Sequence, residues 1–372
     1  MALVRLEIRD RDFTLLEILD NEFTGLSWDY NRIGGCGSFR FSLARNFCDE
    51  KYISGDFNIR IYVRNDSTKA YDLWYQGVVE SKMPDVKDDE QISVTGHGYQ
   101  AQLSRIYPDS TVTYTGQEIS VIVKAILDNY ITANTDITYD VGDIVSTGIT
   151  LDSWKFSTSA LDAFQTLADI AGTREWGVDK DRKFFFKARS SSIGYRFPLG
   201  GQVTAFNSDD SFKDIVNRII VQGGDVSDVP FTATFNDSAS QLKYGLRTQV
   251  IQNSSIVTSA VAEQFADSIF TEKSDVVRKG SCELVDYEAQ IEATIPIPLF
   301  AIKARPVLYG EKYYGTFLYS GEISYQVNRV SYRYTDAGDI VEQLELGKLR
   351  PNISEAIGKI EYDLEQLRTA GV

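Results

Sequence analysis

The first hundred residues alternate. Val4, Leu6 and Ile8 are interleaved with Arg5, Glu7 and Arg9. Phe39, Phe41 and Leu43 are interleaved with Arg40, Ser42 and Ala44, and Phe57, Ile59, Ile61 and Val63 with Asn58, Arg60 and Tyr62. Side chains of a strand point alternately to its two faces, so this period marks half-buried antiparallel strands. The polar stretch 64–70 then turns the chain into 71–80 as a hairpin, and Ile92 and Val94 start another strand. Short strands at this spacing make a barrel or a sandwich.

From residue 107 the period changes. Ile119, Ile122, Val123, Ile126 and Leu127 share one face of a helix over 117–130. Leu161, Phe164, Leu167 and Ile170 do the same over 159–171, and Gly172 is placed to stop that helix. Trp176-Gly177-Val178, the polar turn 179–182 and Phe184-Phe185-Phe186 read as a hairpin. After 201 the pattern returns to β, with a strand over 216–221 ending at Gly223-Gly224 and one helix over about 258–272. Between Val327 and Val330 the apolar phase slips by one, as a β-bulge near Asn328-Arg329 requires. A last strand spans 341–346. The reading is mainly β with an α+β insertion, divided as 1–106, 107–200, 201–350 and a helical tail 351–372.

That tail carries Ile353, Ile357, Ile360, Leu364 and Leu367, in steps of four, three, four and three. This is the a/d seam of a coiled coil, and Ile and Leu mixed at these positions suit a trimer. The run is about two and a half heptads, so a helix packed on its own domain remains the alternative.

Composition removes most chemistry. The 372 residues hold 38 Lys plus Arg against 53 Asp plus Glu, a net charge of −15 spread over the whole length. A sequence-independent grip on nucleic acid needs the opposite sign. The one histidine, His97, excludes a multi-histidine zinc site within one chain, and it sits between glycines with no nucleophile at a recognisable spacing. Gly34-Gly35-Cys36-Gly37 precedes a strand and lacks a lysine, so it is a turn rather than a phosphate loop. The acidic pairs Asp49-Glu50, Asp88-Asp89-Glu90 and Asp209-Asp210 fall in turn-like contexts, and Asp179-Lys180-Asp181 lacks the frame of a calcium loop. No catalytic, cofactor or metal site is expected. Cys36, Cys48 and Cys282 are odd in number with no CxxC, which points to reduced thiols. No apolar run approaches a membrane span, and the charged N-terminus has no signal core, so synthesis in the cytoplasm without a cleaved export signal is expected.

Four stretches in order resemble the baseplate hub, or tail-associated, family of tailed bacteriophages. They are Leu26–Tyr30 with Gly35–Leu43, then Gly96–Leu103, then Ala160–Ala168 with Trp176–Asp179 and Phe184–Phe186, then Asn328–Tyr334 with Val341–Gly347 and a short terminal helix. The resemblance implies two β-barrel-like tube domains flanking a peripheral α+β module. It implies a homotrimeric ring in the virion tail tip, below a distal tail or tail-tube protein ring and above a tip or fibre protein, enclosing the channel for DNA. Two rival readings are a receptor- or glycan-binding tail protein using the many Tyr and Trp, and a wall-degrading glycosidase or peptidase. The enzyme ranks last because no acid, base and nucleophile come together.

Overall fold

The computed structural model describes residues 3–20, 22–44, 55–65, 68–85, 91–172, 174–188, 193–198, 203–226, 229–253, 256–284, 299–303, 307–309, 312–314, 322–325, 327–335 and 337–347. The architecture is mainly β with few helices, as the alternating patterns require.

The alternating N-terminal segment forms β1 (Val4–Arg9), β2 (Leu15–Leu19), β3 (Phe23–Asn31), β4 (Gly34–Ala44), β5 (Asn58–Arg64), β6 (Tyr71–Asp85) and β7 (Gln91–His97). Each apolar member of the pattern is buried and each polar one is at least partly exposed in β1 and β7. β6 is long enough to serve two partners. Its first part pairs with β5, from Arg64↔Tyr71 to Asn58↔Val78, and its second part pairs with β7, from Val78↔His97 to Asp85↔Gln91. A strand that changes partner makes the corner of a barrel or sandwich.

Next come a short 3-10 helix (Tyr99–Arg105), β8 (Val112–Glu118) and α1 (Ile119–Ile126), whose last turn widens to a π-turn over Leu127–Ile131. They are followed by β9 (Thr138–Ile144), β10 (Thr150–Phe156), α2 (Ala160–Ala171), β11 (Arg174–Val178) and β12 (Lys183–Ala188). The α1 face expected from the sequence is fully buried, although residues 117 and 118 belong to β8 rather than to the helix. At the start of α2 the Ser159 hydroxyl accepts the Asp162 N–H at 3.2 Å and donates to its carboxylate at 2.7 Å, a reciprocal cap. Gly172 ends the helix at φ +76°, and a Cβ there would lie 2.2 Å from Cβ of Ser268, so both the turn and the packing need glycine.

The remaining strands and helices are β13 (Ile193–Pro198), β14 (Val203–Ser211), β15 (Arg218–Val226), β16 (Val229–Asn236), α3 (Ser238–Tyr244), β17 (Thr248–Asn253), α4 (Ser259–Lys273), β18 (Val277–Leu284), β19 (Leu299–Lys303), β20 (Val307–Tyr309), β21 (Lys312–Tyr314), β22 (Glu322–Tyr325), β23 (Val327–Tyr334) and β24 (Ile340–Gly347). β15 runs on through Gly223-Gly224, where the sequence suggested an end, by means of a register shift between Gln222 and Asp225. The phase slip at 328–329 is a register shift of β23 against β24 between Val327 and Arg329. Asp209 and Asp210, expected in a turn, lie in β14, in register with Lys279 and Arg278 of β18.

The two ends of the chain share one sheet. Its order is β14-β18-β24-β23-β3-β4-β7-β6-β5-β1-β2, and the seam is the antiparallel β23–β3 pair, Arg329↔Asn31 through Arg333↔Ser27. Beneath the seam, Trp28 of β3 stacks on Tyr332 of β23, with centroids 5.2 Å apart and planes at 15°, and Trp74 meets both rings edge-on. Each such aromatic pair contributes roughly 0.5–1.5 kcal/mol beyond the area it buries. A single apolar core therefore takes side chains from residues 4–94 and from 203–346. A second core fills the α+β part, from Tyr99 to Phe186. A third lies between α4 and the three-stranded sheet β16-β15-β17.

Candidate assembly surfaces

The α+β part is fixed to the large sheet by backbone and by charge. β11 runs parallel to the start of β4, with Gly177↔Gly34 and Val178↔Gly35 in register. A Cβ on Gly35 would lie 2.0 Å from the Val178 carbonyl oxygen, and Gly35 itself sits at φ +80°. The Gly-rich stretch is thus a place where two backbones touch, just after the two-residue turn between β3 and β4. In that turn Arg32 reaches Glu175 of β11, and the guanidinium donates to the carboxylate with both side chains fully buried. The pair couples residues 143 apart in the sequence, which no local pattern announces.

The outer face of the large sheet is polar. At its centre Asp29 of β3 is buried and accepts from the Ser38 hydroxyl at 2.6 Å, from Arg329 of β23 at 2.6 Å and from the Asn31 amide at 3.1 Å. Asp29, Ser38 and Arg329 line, with Arg40 and His97, a groove of about 310 Å³. His97 ends β7 opposite Ser38, half exposed, with Glu80 3.5 Å away and Arg105 3.7 Å from the same carboxylate. A carboxylate therefore does stand beside the imidazole. The Ser38 hydroxyl, however, is donated to Asp29, so this trio has no nucleophile bonded to its base. Asp179 accepts the backbone N–H groups of Asp181 and Lys183 at 2.8 Å each, which makes 179–182 the β11–β12 hairpin turn. Among the described residues no group of three or more His, Cys, Asp or Glu is arranged to hold a metal ion. Burial pushes the Cys36 and Cys282 thiols up to about 12, so both are protonated and unreactive at neutral pH.

Glu118 is a structural clamp. Burial by itself would raise its pKa. Bonds from the Ser146 hydroxyl, the Gly148 and Thr147 N–H groups and the Thr147 hydroxyl outweigh that and hold it down at about 2. They tie the loop before β10 to the end of β8.

All four tryptophans are buried: Trp28, Trp74, Trp154 and Trp176. No indole stands ready to stack on a sugar. The exposed apolar side chains fall elsewhere. Leu15 and Ile18 lie on β2, one end of the large sheet, and Phe212 follows β14, the other end. Val229, Leu242, Leu246 and Val250 belong to the β16–α3–β17 region, and Leu242 is 92% exposed. The seam residues Ile353, Ile357, Ile360, Leu364 and Leu367 lie outside the described residues, as do Cys48 and the acidic groups at 49–50 and 88–90. No described helix is long and apolar enough to cross a membrane.

This arrangement of a bipartite sheet, an inserted α+β unit and a helix-backed three-stranded sheet is the fold of phage-type tail proteins. A prophage tail protein from Listeria monocytogenes superposes with a TM-score of 0.64, covering 97% of this chain and 99% of its own at 13% identity. A tail protein from Neisseria meningitidis gives 0.63, covering 92% and 96% at 10% identity. The 43 kDa tail protein of a Shewanella oneidensis prophage gives 0.62, covering 95% and 99% at 14% identity. No family model matches the chain, and no curated protein is similar to it in sequence.

Proposed function

We propose that this chain is a structural tail protein: a hub at the distal end of a tail tube, three copies forming a ring around the DNA channel. The observation that carries the reading is the end-to-end likeness in fold to three tail proteins, with almost nothing of either chain left over. The ring joins a distal tail or tail-tube protein above to a tip or fibre protein below. The chain's role is shape and contact rather than catalysis, in keeping with the tail proteins it resembles. The rival of a glycan-binding module lacks an exposed tryptophan. The heptad-spaced residues Ile353, Ile357, Ile360, Leu364 and Leu367 are assigned to packing on a neighbouring copy or on the next tail protein.

Light scattering of the purified full chain over a concentration series, followed by electron microscopy, tests the reading. The expected result is a species near three times 41.8 kDa with a central hole. A chain that stays monomeric and is missing from purified particles contradicts it. The double substitution Ile357→Asp, Ile360→Asp should weaken assembly, and a double variant that assembles like wild type removes the seam from the interface.

A further inference from the structure

Among the described residues no further strand pairs with either edge of the sheet β16-β15-β17, and both edge strands are without charge. Val229–Asn236 reads VPFTATFN and Thr248–Asn253 reads TQVIQN, with no Asp, Glu, Lys, Arg or His in either. The chain as a whole is 24% charged, and edge strands are normally blunted with charge because an open edge invites another strand. Among the described residues of these two strands, Pro230 at the start of β16 is the one such device. One face of the sheet is closed by α4, whose Ala262, Phe265, Ala266 and Ile269 pack on Ile219, Val221 and Ile251. Among the described residues nothing covers the other face. In register it carries Thr234, Ile220 and Val250 in one row and Thr232, Gln222 and Gln252 in the next, the two amides bonded at 2.9 Å. Leu242 and Leu246, 92% and 60% exposed, stand in the connection at one end of the sheet.

The strand directions allow a continuation. β16 runs antiparallel to β15 and β17 runs parallel to it, so β16 and β17 run in opposite senses. The free edge of β16 on one molecule can therefore meet the free edge of β17 on the next as an ordinary antiparallel pair, with six residues of β17 against eight of β16. Such a contact uses two different surfaces on each subunit, the head-to-tail kind that closes into a ring when the rotation between copies divides a full turn. Charge says what the partner is. Two copies of a chain with net charge −15 repel over most of their surface, and they approach at least cost where neither presents a carboxylate.

We propose that the β16 edge of one copy pairs with the β17 edge of a second copy, making this sheet the subunit junction. The inference rests on the trimeric reading above and names the contact that closes the ring.

Thr234 and Val250 are exposed, so charge can be added at either without touching a core. Thr234→Glu on β16 and Val250→Glu on β17 should each raise the dissociation constant of the oligomer at least about tenfold, since a charge on an edge strand blocks its pairing with another strand. Circular dichroism on the same samples checks that each monomer stays folded. An equimolar mixture of the two single variants should give a dimer and no closed ring, because only one junction has two wild-type edges. Thr234→Glu combined with Val250→Lys in one chain should restore assembly. If wild type forms a trimer and the Glu variants do too, the junction lies elsewhere and the ring survives without it. If wild type stays monomeric at every concentration reached, self-pairing through these edges is overturned, and the ring is then judged from images of whole particles.

Discussion

At the scale of single residues, a few buried contacts hold the large sheet and the α+β part together. Removing one member of the Arg32–Glu175 pair takes a charged partner away from the other, which is fully buried. Glu175→Gln or Arg32→Met should therefore cost about 3–5 kcal/mol, read as a lower urea midpoint. Gly35→Ala puts a Cβ into the Val178 carbonyl at a φ that L-residues avoid, and at least about 2 kcal/mol should be lost in the same assay. Glu118 makes stability depend on pH. Its folded-state value of about 2 lies below the ordinary 4.5, so the clamp contributes in full above about pH 4.5 and fades as pH falls toward 2. In Glu118→Gln that acid-side loss should shrink, and thermal melts at pH 5 and pH 3 on both proteins check it. A Gln variant with the same acid loss as wild type shows that other carboxylates carry the effect.

Among the elements, legibility follows locality. β1, β5, β7, α1, α2 and α4 lie where the period of two or of 3.6 places them, because each buries one face and the burial is written in consecutive residues. The cap of α2 is equally local, and Ser159→Ala should cost about 1 kcal/mol, measurable by chemical denaturation. β14 and β17 carry no such signature, since their sequences mix Thr, Gln and Asn without a clean alternation of apolar and polar. β16 does alternate, Phe231, Ala233 and Phe235 against Thr232, Thr234 and Asn236, but the run is short and its apolar side only half-buried. The structure also places Asp209 and Asp210 within a strand, paired in register with β18, which is some seventy residues further along the chain. The candidate contact surface was the least legible part for the same reason: the absence of charge in two short segments becomes informative only once both are seen to be edges.

Over the whole molecule, the governing feature is the β3–β23 seam. Nothing near Trp28 announces that its stacking partner lies at Tyr332, since register between distant strands leaves no periodic trace. The resemblance in motif order anticipated the class of fold, and composition had already thinned the chemistry. The seam yields a further expectation. A fragment ending at residue 106 keeps β1–β7 but exposes the β3 edge and the Trp28 face, so it should bind a hydrophobic dye and self-associate. Adding the seam strands back in the full chain should abolish both. A fragment that is monomeric and dye-silent shows that the N-terminal strands close without the C-terminal ones.

The same seam sets a timetable for birth on the ribosome. The first seven strands leave the exit tunnel long before β23 is made. At roughly 5–20 residues per second, the wait is on the order of 10–50 s. During that interval the edge of β3 is an unpaired template, and the longest-range closure in the molecule is still to come. The α+β unit, with a core of its own, can fold meanwhile and hold Gly34 and Gly35 at the start of β4 in place. Nascent chains crowded on one message therefore run their greatest risk of pairing with each other before their last strand emerges, and holding translation apart from assembly becomes part of how such a subunit reaches its native form.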